Sequence, residues 1–340
     1  MKSRNEVVAQ VRSKIRMMHF ALSTEDAYCG WVARYYDFCR GIDPKLTAEQ
    51  KVEAFLVDLA LERRVAARTQ NQAFAAILYL YKGVLERPLK NVEALRAKRP
   101  QHERTSPSRE QVRIFRAQVE DTPTTPARLI VDLLYGCGLR VSEPLELRVK
   151  DVLWGEGPHG QLLLRGAKGG KDRRVPIPRS CVAPLRLQLD RARTVWEWDQ
   201  ANARNVGVTI PFSLANKYPR APFQWQWFWV FPANSHCDDP RTGTRVRYHI
   251  LVDCIQRCVK RAAAKAGLDG LITPHVLRHA YATHSREPID ALRQLLGHSW
   301  LETTAAYLHP DVDRAGNPLD DLLGHNGGEC PGPKNGGGSG

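Results

Sequence analysis

Apolar residues recur at helical spacing between Ser3 and about Leu89, in a stretch rich in Ala, Leu, Glu and Arg. Spacing of this kind is typical of helices that pack through one face. Polar runs such as Ser23 to Asp26 and Thr47 to Gln50 are typical of helix starts. The pattern predicts about three to five packed helices in this part of the chain.

The periodicity stops between Leu95 and Arg109, where the chain becomes basic and contains proline. Such a composition is typical of a linker. We therefore predict a helical N-terminal domain over residues 1–95, a basic linker over 96–108 and a second domain over 109–312. The glycine-rich end of residues 313–340 indicates a flexible tail.

The second domain mixes helical and strand-like patterns. Short apolar runs between turns rich in Gly and Pro predict a small antiparallel β-sheet within a mainly α-helical fold. The predicted helices cover residues 109–119, 127–134, 181–203 and 249–266, and the predicted strands cover 149–153, 161–165 and 173–177.

The composition points to a polyanionic partner. With 340 residues, 43% hydrophobic and 25% charged, the chain can bury cores in two domains. Fifty Lys plus Arg residues against 36 acidic ones give a formal net charge of +14, which favours nucleic acid over generic basicity. No apolar run reaches the roughly 20 residues that span a bilayer, and no secretion signal opens the chain. We expect a cytoplasmic protein without a membrane partner.

Eight cysteines are scattered along the chain without a C-x-x-C pair. Cys254 and Cys258 stand one helical turn apart and would bind a metal together with Cys237 or His249. Isolated thiols in a reducing compartment are more often packed as small apolar groups. We therefore predict no metal site and no cofactor.

The candidate chemistry is a set of five basic side chains followed by one phenol. Attack on a phosphodiester without a metal needs donors around the oxygens of the pentavalent phosphate. The ordered set that meets this need is Arg140, Lys168, His275, Arg278, His298 and Tyr307.

The local patterns suit these roles, although each also fits ordinary structural residues. Arg140 lies in a turn that enters a helix, whose N-terminal dipole would favour a phosphate. His275 and Arg278 are three residues apart and share one face of a helix that Pro274 can begin.

Taken in order, these pieces resemble the tyrosine recombinase family over about residues 10–310: a G-x-R-x-S-E turn, a hairpin lysine, H-x-x-R, L-G-H and a tyrosine. The resemblance implies a two-domain C-shaped clamp, with an all-helical, SAM-like core-binding domain before a mixed α/β catalytic domain. It also implies a site-specific DNA recombinase, with chemistry like that of type IB topoisomerases. Tyr307 would attack phosphorus, forming a 3′-phosphotyrosyl link and freeing a 5′-hydroxyl. Arg140 and Arg278 would clamp the non-bridging oxygens.

The resemblance assigns the remaining residues of the set as well. Lys168 would protonate the 5′-oxygen, with Lys171 on the same hairpin as the alternative. His275 would accept the tyrosine proton or bind the phosphate, and His298 would donate to a phosphate oxygen. Glu143 would orient these groups without taking part in the reaction.

Further DNA contacts are predicted on both domains. Arg68 and Gln70 stand in the first turn of a predicted helix, where we favour DNA contact over an ordinary amphipathic surface. On the hairpin of the second domain, we assign Lys171 and Arg173 to DNA binding.

Residues 204–249 include a stretch that a minimal tyrosine recombinase lacks. Its segment from Leu214 to Pro232 resembles the insertion that marks integron integrases. Trp225, Trp227 and Trp229 alternate as on one face of a strand, although most of these rings favour core packing.

The insertion is similar to one that recognises bases swung out of a folded single-stranded site. An aromatic ring can stack on such a base without requiring a duplex. By position, Trp227 matches the stacking tryptophan, and Pro240, Tyr248 and His249 match the contacts to a second base. The implied partner is DNA, as single-stranded hairpins and as double-stranded sites, and the implied activity is integration and excision of gene cassettes.

The resemblance also implies a homotetramer on DNA, in which a C-terminal helix docks on a neighbouring protomer through the residues after Tyr307, especially Leu319 to Leu323. One departure is the run from His284 to Asp290, which is shorter than is usual in the family. This shortening would displace His298 and Tyr307 from the phosphate and slow the reaction. Two alternatives therefore stand beside the integron integrase: a phage or Xer-like recombinase of duplex sites, and a catalytically weak DNA-binding protein.

Overall fold

The computed structural model describes residues 3–90, 92, 106–167, 171–202, 206–240, 242–297, 319 and 322. The chain divides into two compact units, Met1–Arg104 and Thr105–Gly340. Each unit has its own hydrophobic core. The predicted linker over 96–108 and the predicted tail over 313–340 lie mostly outside the described residues, and the domain boundaries stay predictions.

The described part of the first unit contains four α-helices: α1 (Arg4–Met17), α2 (Leu22–Cys39), α3 (Ala48–Val57) and α4 (Ala67–Tyr79). A π-helical turn continues α3 over Asp58–Glu62 and α4 over Leu80–Val84. The helices bury their apolar sides against one another, and Phe55, Phe74 and Ile77 are almost fully buried. The prediction of three to five helices is confirmed.

Two of these helices begin at reciprocal caps, as their sequences indicate. The hydroxyl of Ser3 accepts from the backbone N–H of Glu6, whose carboxylate accepts from the backbone N–H of Ser3. Thr47 and Gln50 form the same pair at α3. These bonds satisfy backbone donors that a helix start leaves without partners.

The second unit is built mainly of helices in its described part. They are α5 (Arg109–Ala117), α6 (Ala127–Gly136), α7 (Ser142–Leu145), α8 (Arg179–Asn202), α9 (Phe212–Lys217), α10 (Val252–Lys265), α11 (Pro274–His284) and α12 (Ile289–Leu296). The central helix is α6, which is buried over nearly its whole length and packs against α11.

Two small sheets complete the second unit. In the first sheet, β1 (Val152–Leu153), β2 (Gln161–Ala167) and β3 (Lys171–Pro176) are antiparallel. In the second sheet, β6 (Arg245–His249) lies between β4 (Gly207–Val208) and β5 (Pro232–Asp238), parallel to β4 and antiparallel to β5. The mainly α fold with a small antiparallel sheet is confirmed, and the second sheet is an addition to it.

Three local predictions are wrong. The helix expected from His249 begins at Val252, because His249 ends β6. Val149–Asp151 forms a 3₁₀ turn ahead of the short strand β1. Trp225–Trp227 forms another 3₁₀ turn, so the tryptophans of this segment do not share one face of a strand.

No helix in the described residues is long and apolar enough to cross a membrane.

Candidate active site and DNA interface

Glu143 is the centre of a group of three arginines. Its carboxylate accepts hydrogen bonds from the backbone N–H and from Nη1 of Arg140, each at 2.7 Å. Arg173 donates to both carboxylate oxygens, with Nη1 at 2.9 Å and Nη2 at 2.7 Å. Nη1 of Arg278 lies 3.9 Å from Oε2 of Glu143. Burial opposes ionisation, but the bonds and charge of Arg173 outweigh it and hold the pKa of Glu143 below its ordinary value.

Arg140 reaches this group from a sharp turn after α6. Gly138 has a φ of +60°, and a Cβ atom there would lie 2.4 Å from Cδ1 of Tyr281. Only glycine adopts this backbone without strain and leaves room for the ring. The helix α7 has only four residues, so a helix dipole contributes little to a phosphate site here. The orientation of Arg140 comes from Glu143 and not from the helix end that the sequence suggested.

Arg278 ties together the two ends of the site. It lies on α11, which begins at Pro274 as predicted and is capped by the hydroxyl of Thr273. The side chain is 6% exposed. Nη1 donates to the carbonyl of Gly138 at 2.7 Å, and Nη2 donates to the carbonyl of Leu296 at 2.6 Å. Arg278 therefore links the Arg140 turn to the end of α12.

Two histidines stand beside Arg278 on α11. His275 is exposed, and its ring centroid lies 4.4 Å from that of the buried His279, with the rings nearly perpendicular. His279 was not among the predicted site residues, although it is one helical turn after His275 and therefore on the same face. The role of His275 in catalysis stays a prediction.

Arg173 was predicted to bind DNA; its side chain contacts Glu143 and α12, and its contact with DNA stays a prediction. Its side chain is 7% exposed. Besides the two bonds to Glu143, its Nε donates to the carbonyl of Leu295 at 2.8 Å. Because the guanidinium of Arg173 is bonded to both Glu143 and Leu295, it holds the Glu143 carboxylate in position. The signal in the sequence was the alternation along β3, which puts Arg173 on the same face as the buried Val175.

A second glycine leaves space for Arg173. Gly297 ends α12 with a φ of +63°, and a Cβ atom there would lie 3.2 Å from Cδ of Arg173. Glycine is the residue that most readily ends a helix in this left-handed conformation. The glycine of the L-G-H motif therefore also allows the close approach of β3 to α12.

Three members of the predicted catalytic set, Lys168, His298 and Tyr307, lie outside the described residues. In sequence, Lys168 falls between the end of β2 and the start of β3, and His298 directly follows Gly297. Lys171 begins β3, but its side chain is not described. Their chemical roles stay predictions.

The short connection between α11 and α12 does not separate α12 from the arginine group. Leu292 and Leu296 of α12 pack with Tyr281 of α11. The carbonyls of Leu295 and Leu296 accept the bonds from Arg173 and Arg278. The displacement that we expected concerns His298 and Tyr307, which lie beyond the described end of α12.

Most aromatic rings of the insertion form a small core. Trp229 is 4% exposed, and the guanidinium carbon of Arg148 lies 3.3 Å from its ring centre. Trp225 packs 5.9 Å from Trp196 of α8 and 6.1 Å from Phe228, measured between ring centroids. The expectation that most of these rings favour the core is confirmed.

His249 belongs to this core as well. It is 6% exposed, its centroid stacks 4.1 Å from that of Tyr248, and it meets Trp229 edge-on at 4.9 Å. Burial lowers the pKa of His249, which favours a neutral ring. His249 therefore packs within this core, and its predicted contact with a base stays a prediction. Tyr248 is half-buried and Pro240 is exposed after β5, so their contacts stay predictions.

A cavity of about 530 Å³ opens beside Trp227 in the insertion. Its lining combines aromatic rings, side-chain amides and cations: Lys217, Tyr218, Pro219, Arg220, Ala221, Gln224, Gln226 and Trp227. Rings that stack, amides that bond base edges and cations that bind phosphate are the groups that recognise an unpaired nucleotide. Of these residues, only Trp227 was predicted to recognise a base.

In the first unit, Arg68 is exposed in the first turn of α4. The side-chain amide of Gln70 donates to the carbonyl of Val65 at 2.6 Å and so holds the loop before α4. Contact of either residue with DNA stays a prediction.

The described residues hold no group of three or more His, Cys, Asp or Glu suited to a metal.

Comparisons with known proteins agree with this fold. The phage integrase N-terminal SAM-like domain matches residues 7–91, and the phage integrase family matches residues 107–314. An integrase/recombinase of Escherichia coli is 41% identical over 333 residues, covering 93% of this chain and 94% of the relative. Tyrosine recombinase XerA of Pyrococcus furiosus is 32% identical over 246 residues, covering 69% of this chain and 70% of the relative.

A solved structure of a lambda integrase dimer bound to a COC′ core site has the same fold, with a TM-score of 0.58 at 14% identity, covering 92% of this chain and 98% of that one. The chain belongs to the phage integrase family of tyrosine recombinases. It is a site-specific recombinase, an enzyme that binds, cleaves and rejoins DNA.

Proposed function

We propose that this recombinase is an integron integrase, which integrates and excises gene cassettes at folded single-stranded hairpins and at duplex attachment sites. The observation that carries this proposal is the insertion, with its cavity of about 530 Å³ beside Trp227. A duplex buries the faces of its bases, whereas a hairpin with unpaired bases can place one on an aromatic ring.

In the proposed reaction, the phenol of Tyr307 gives its proton to His275 while its oxygen attacks phosphorus and forms a 3′-phosphotyrosyl bond, as in type IB topoisomerases. The bond to the 5′-oxygen breaks, and Lys168 supplies the proton that this oxygen takes up. The 5′-hydroxyl of a second strand then attacks the phosphotyrosine and releases Tyr307. The number of phosphodiester bonds is unchanged, so the exchange needs no external source of energy.

The described residues support the positioning part of this proposal. Arg140 has the most exposed side chain of the three arginines around Glu143, at 30%, and is the one best able to reach a phosphate from solvent. Arg278 would share the non-bridging oxygens with Arg140, and His275 and His298 would complete the donors. Glu143 and Arg173 hold the arginines in place, since a misplacement of about 1 Å can slow such a reaction by about a hundredfold.

Assembly of a tetramer through the C-terminal segment is part of the proposal. Leu319 is fully buried within its own chain, and a Cβ atom added to Gly136 would lie 3.0 Å from its Cδ2. Pro178 lies against the same position of Gly136. We propose that a neighbour's segment takes this place beside Gly136 and Pro178 in the synaptic complex, with exchange around the tetramer.

The test of the proposed function compares two forms of one recombination site, a folded single strand with unpaired bases and the fully paired duplex. Filter binding should show tighter binding of the hairpin, and Trp227→Ala should reduce hairpin affinity by about tenfold while leaving duplex affinity unchanged. Trp198→Ala is the matched control, because Trp198 is 55% exposed on α8 and does not line the cavity.

Preference of the wild-type protein for the duplex would contradict the integron assignment and favour a recombinase of duplex sites. The same conclusion would follow if Trp227→Ala and Trp198→Ala changed hairpin binding equally.

A further inference from the structure

The ring of Trp227 has a cation on one of its faces. Lys150 lies in the 3₁₀ turn Val149–Asp151, and its Nζ is 2.7 Å from the centre of the Trp227 ring. A cation in this place is attracted by the negative face of the indole. The pair joins the 3₁₀ turn after α7 to the insertion.

The backbone of Trp227 is held by the neighbours of Lys150. Nη1 of Arg148 donates to the carbonyl of Trp227 at 2.8 Å, and the N–H of Val149 donates to the carbonyl of Phe228 at 3.0 Å. Because these bonds fix the backbone, the remaining freedom of Trp227 is the rotation of its side chain. Lys150 contacts the part of the residue that the backbone bonds leave free.

Lys150 does not line the cavity beside Trp227. Among the described residues that line this cavity are Tyr218, Gln224 and Trp227. One face of the indole is therefore covered by the ammonium group, while the cavity adjoins the rest of the ring. The ammonium group leaves the opposite face of the Trp227 ring for a stacked base.

We propose that Lys150 is a positioning residue for base recognition, which covers one face of Trp227 and holds the ring so that one unpaired base stacks on the other face. This inference rests on the proposed function. It adds a specificity-determining residue that lies outside the insertion and does not touch the base.

The surroundings of Lys150 make its charge sensitive to pH. Burial, followed by the positive charges of Arg165 on β2 and Arg148, lowers the pKa of Lys150 to about 8, and Asp151 opposes this shift. The cation on the ring is therefore present below about pH 8 and is lost as the pH rises further. Arginine at this position would keep its charge over the same range.

The experiment uses the full chain and three DNA probes: a hairpin with an unpaired base, the same hairpin with that base deleted, and a duplex. Lys150→Met removes the charge and keeps much of the length, and Lys150→Arg restores the charge. We expect Lys150→Met to lose on the order of three- to thirtyfold in affinity for the first hairpin only. Lys150→Arg should bind like the wild type, and retained duplex binding shows that the variants fold.

The pH profile separates positioning from a simple structural role. Between pH 7 and 9 the preference of the wild type for the unpaired base should decline, and the preference of Lys150→Arg should stay constant. Equal losses on all three probes for Lys150→Met would show that Lys150 binds phosphate, and would overturn the inference. So would an unchanged preference, or a Lys150→Arg variant as weak as Lys150→Met.

Failure of the proposed function has a different signature. In that case the wild-type protein itself would bind the hairpins with and without the unpaired base equally, and Trp227→Ala would change neither. A wild-type preference that depends on Trp227 and is indifferent to Lys150 would contradict the inference alone.

Discussion

Replacement of Glu143 by glutamine should separate DNA cleavage from DNA binding. The substitution keeps the size of the side chain but removes the charge that Arg140, Arg173 and Arg278 surround. The glutamine oxygen can still accept from one guanidinium, whereas its amide group meets the donors of another. Arg140 would then lose the partner that fixes it.

The magnitude follows from the burial of the partners. The Arg173 side chain is 7% exposed and that of Glu143 is 12% exposed, so the pair is largely shielded from water. Loss of one partner of such a pair costs about 3–5 kcal/mol. We expect the free energy of unfolding of the second unit to fall by about 3 kcal/mol, since one hydrogen bond is retained. Cleavage should slow by about a hundredfold, with DNA affinity changed by less than about threefold.

Urea denaturation followed by tryptophan fluorescence measures the stability, because every tryptophan except Trp31 lies in the second unit. Glu110→Gln is the matched control, since Glu110 forms an exposed pair with Arg113 and should tolerate the change. Equal stability of the two variants would refute the reasoning, as would a Glu143→Gln enzyme that cleaves at the wild-type rate.

The same variant should change the response to acid. The folded protein holds the pKa of Glu143 below its ordinary value. The stabilisation by this carboxylate is therefore complete above the unfolded pKa of about 4.3 and is lost as the pH falls through the lower folded pKa. The stability difference between wild type and Glu143→Gln should stay constant near neutral pH and shrink in acid. A difference that grows in acid would contradict the assignment.

Three further substitutions test other parts of the structure. Gly138→Ala should lower both thermal stability and cleavage rate, because its Cβ would lie 2.4 Å from Tyr281; a soluble variant with wild-type cleavage would contradict this. Asp199→Asn should lower the free energy of unfolding by about 3 kcal/mol in urea, because Asp199 is 1% exposed and pairs with the equally buried Arg247; an unchanged midpoint would refute it. Leu319→Ala should cost about 2–5 kcal/mol in the same assay, and no loss would show that Leu319 is not packed in the free protein.

The positions of the helices and of the turns that carry site residues were predictable, because they depend on local properties of the sequence. The apolar run of residues 127–134 predicted α6, and Pro274 marked the start of α11. The glycine before Leu139 indicated a turn, and the structure adds its cause, the ring of Tyr281. Such features follow from chain geometry within a few residues.

The partners of charged and aromatic side chains were less predictable. Arg173 carries the same charge whether it meets DNA or Glu143, and only the packing of β3 against α12 decides between them. The alternating tryptophans fit a strand as well as the observed 3₁₀ turn. Contacts with Arg148 and α8 decide between the two conformations. These contacts join residues far apart in sequence, on which local propensity gives no information.

We propose that this chain cleaves DNA through Tyr307, and that Arg140 and Arg278 assist the reaction. A nicked suicide substrate provides the test. Cleavage beside the nick releases a short piece of DNA with the 5′-hydroxyl, and its loss traps the covalent intermediate. We expect a protein–DNA adduct whose DNA-linked peptide contains Tyr307. This adduct should be absent from Tyr307→Phe and strongly reduced in Arg140→Ala. No adduct with the wild-type protein, or an adduct that survives Tyr307→Phe, would contradict the account.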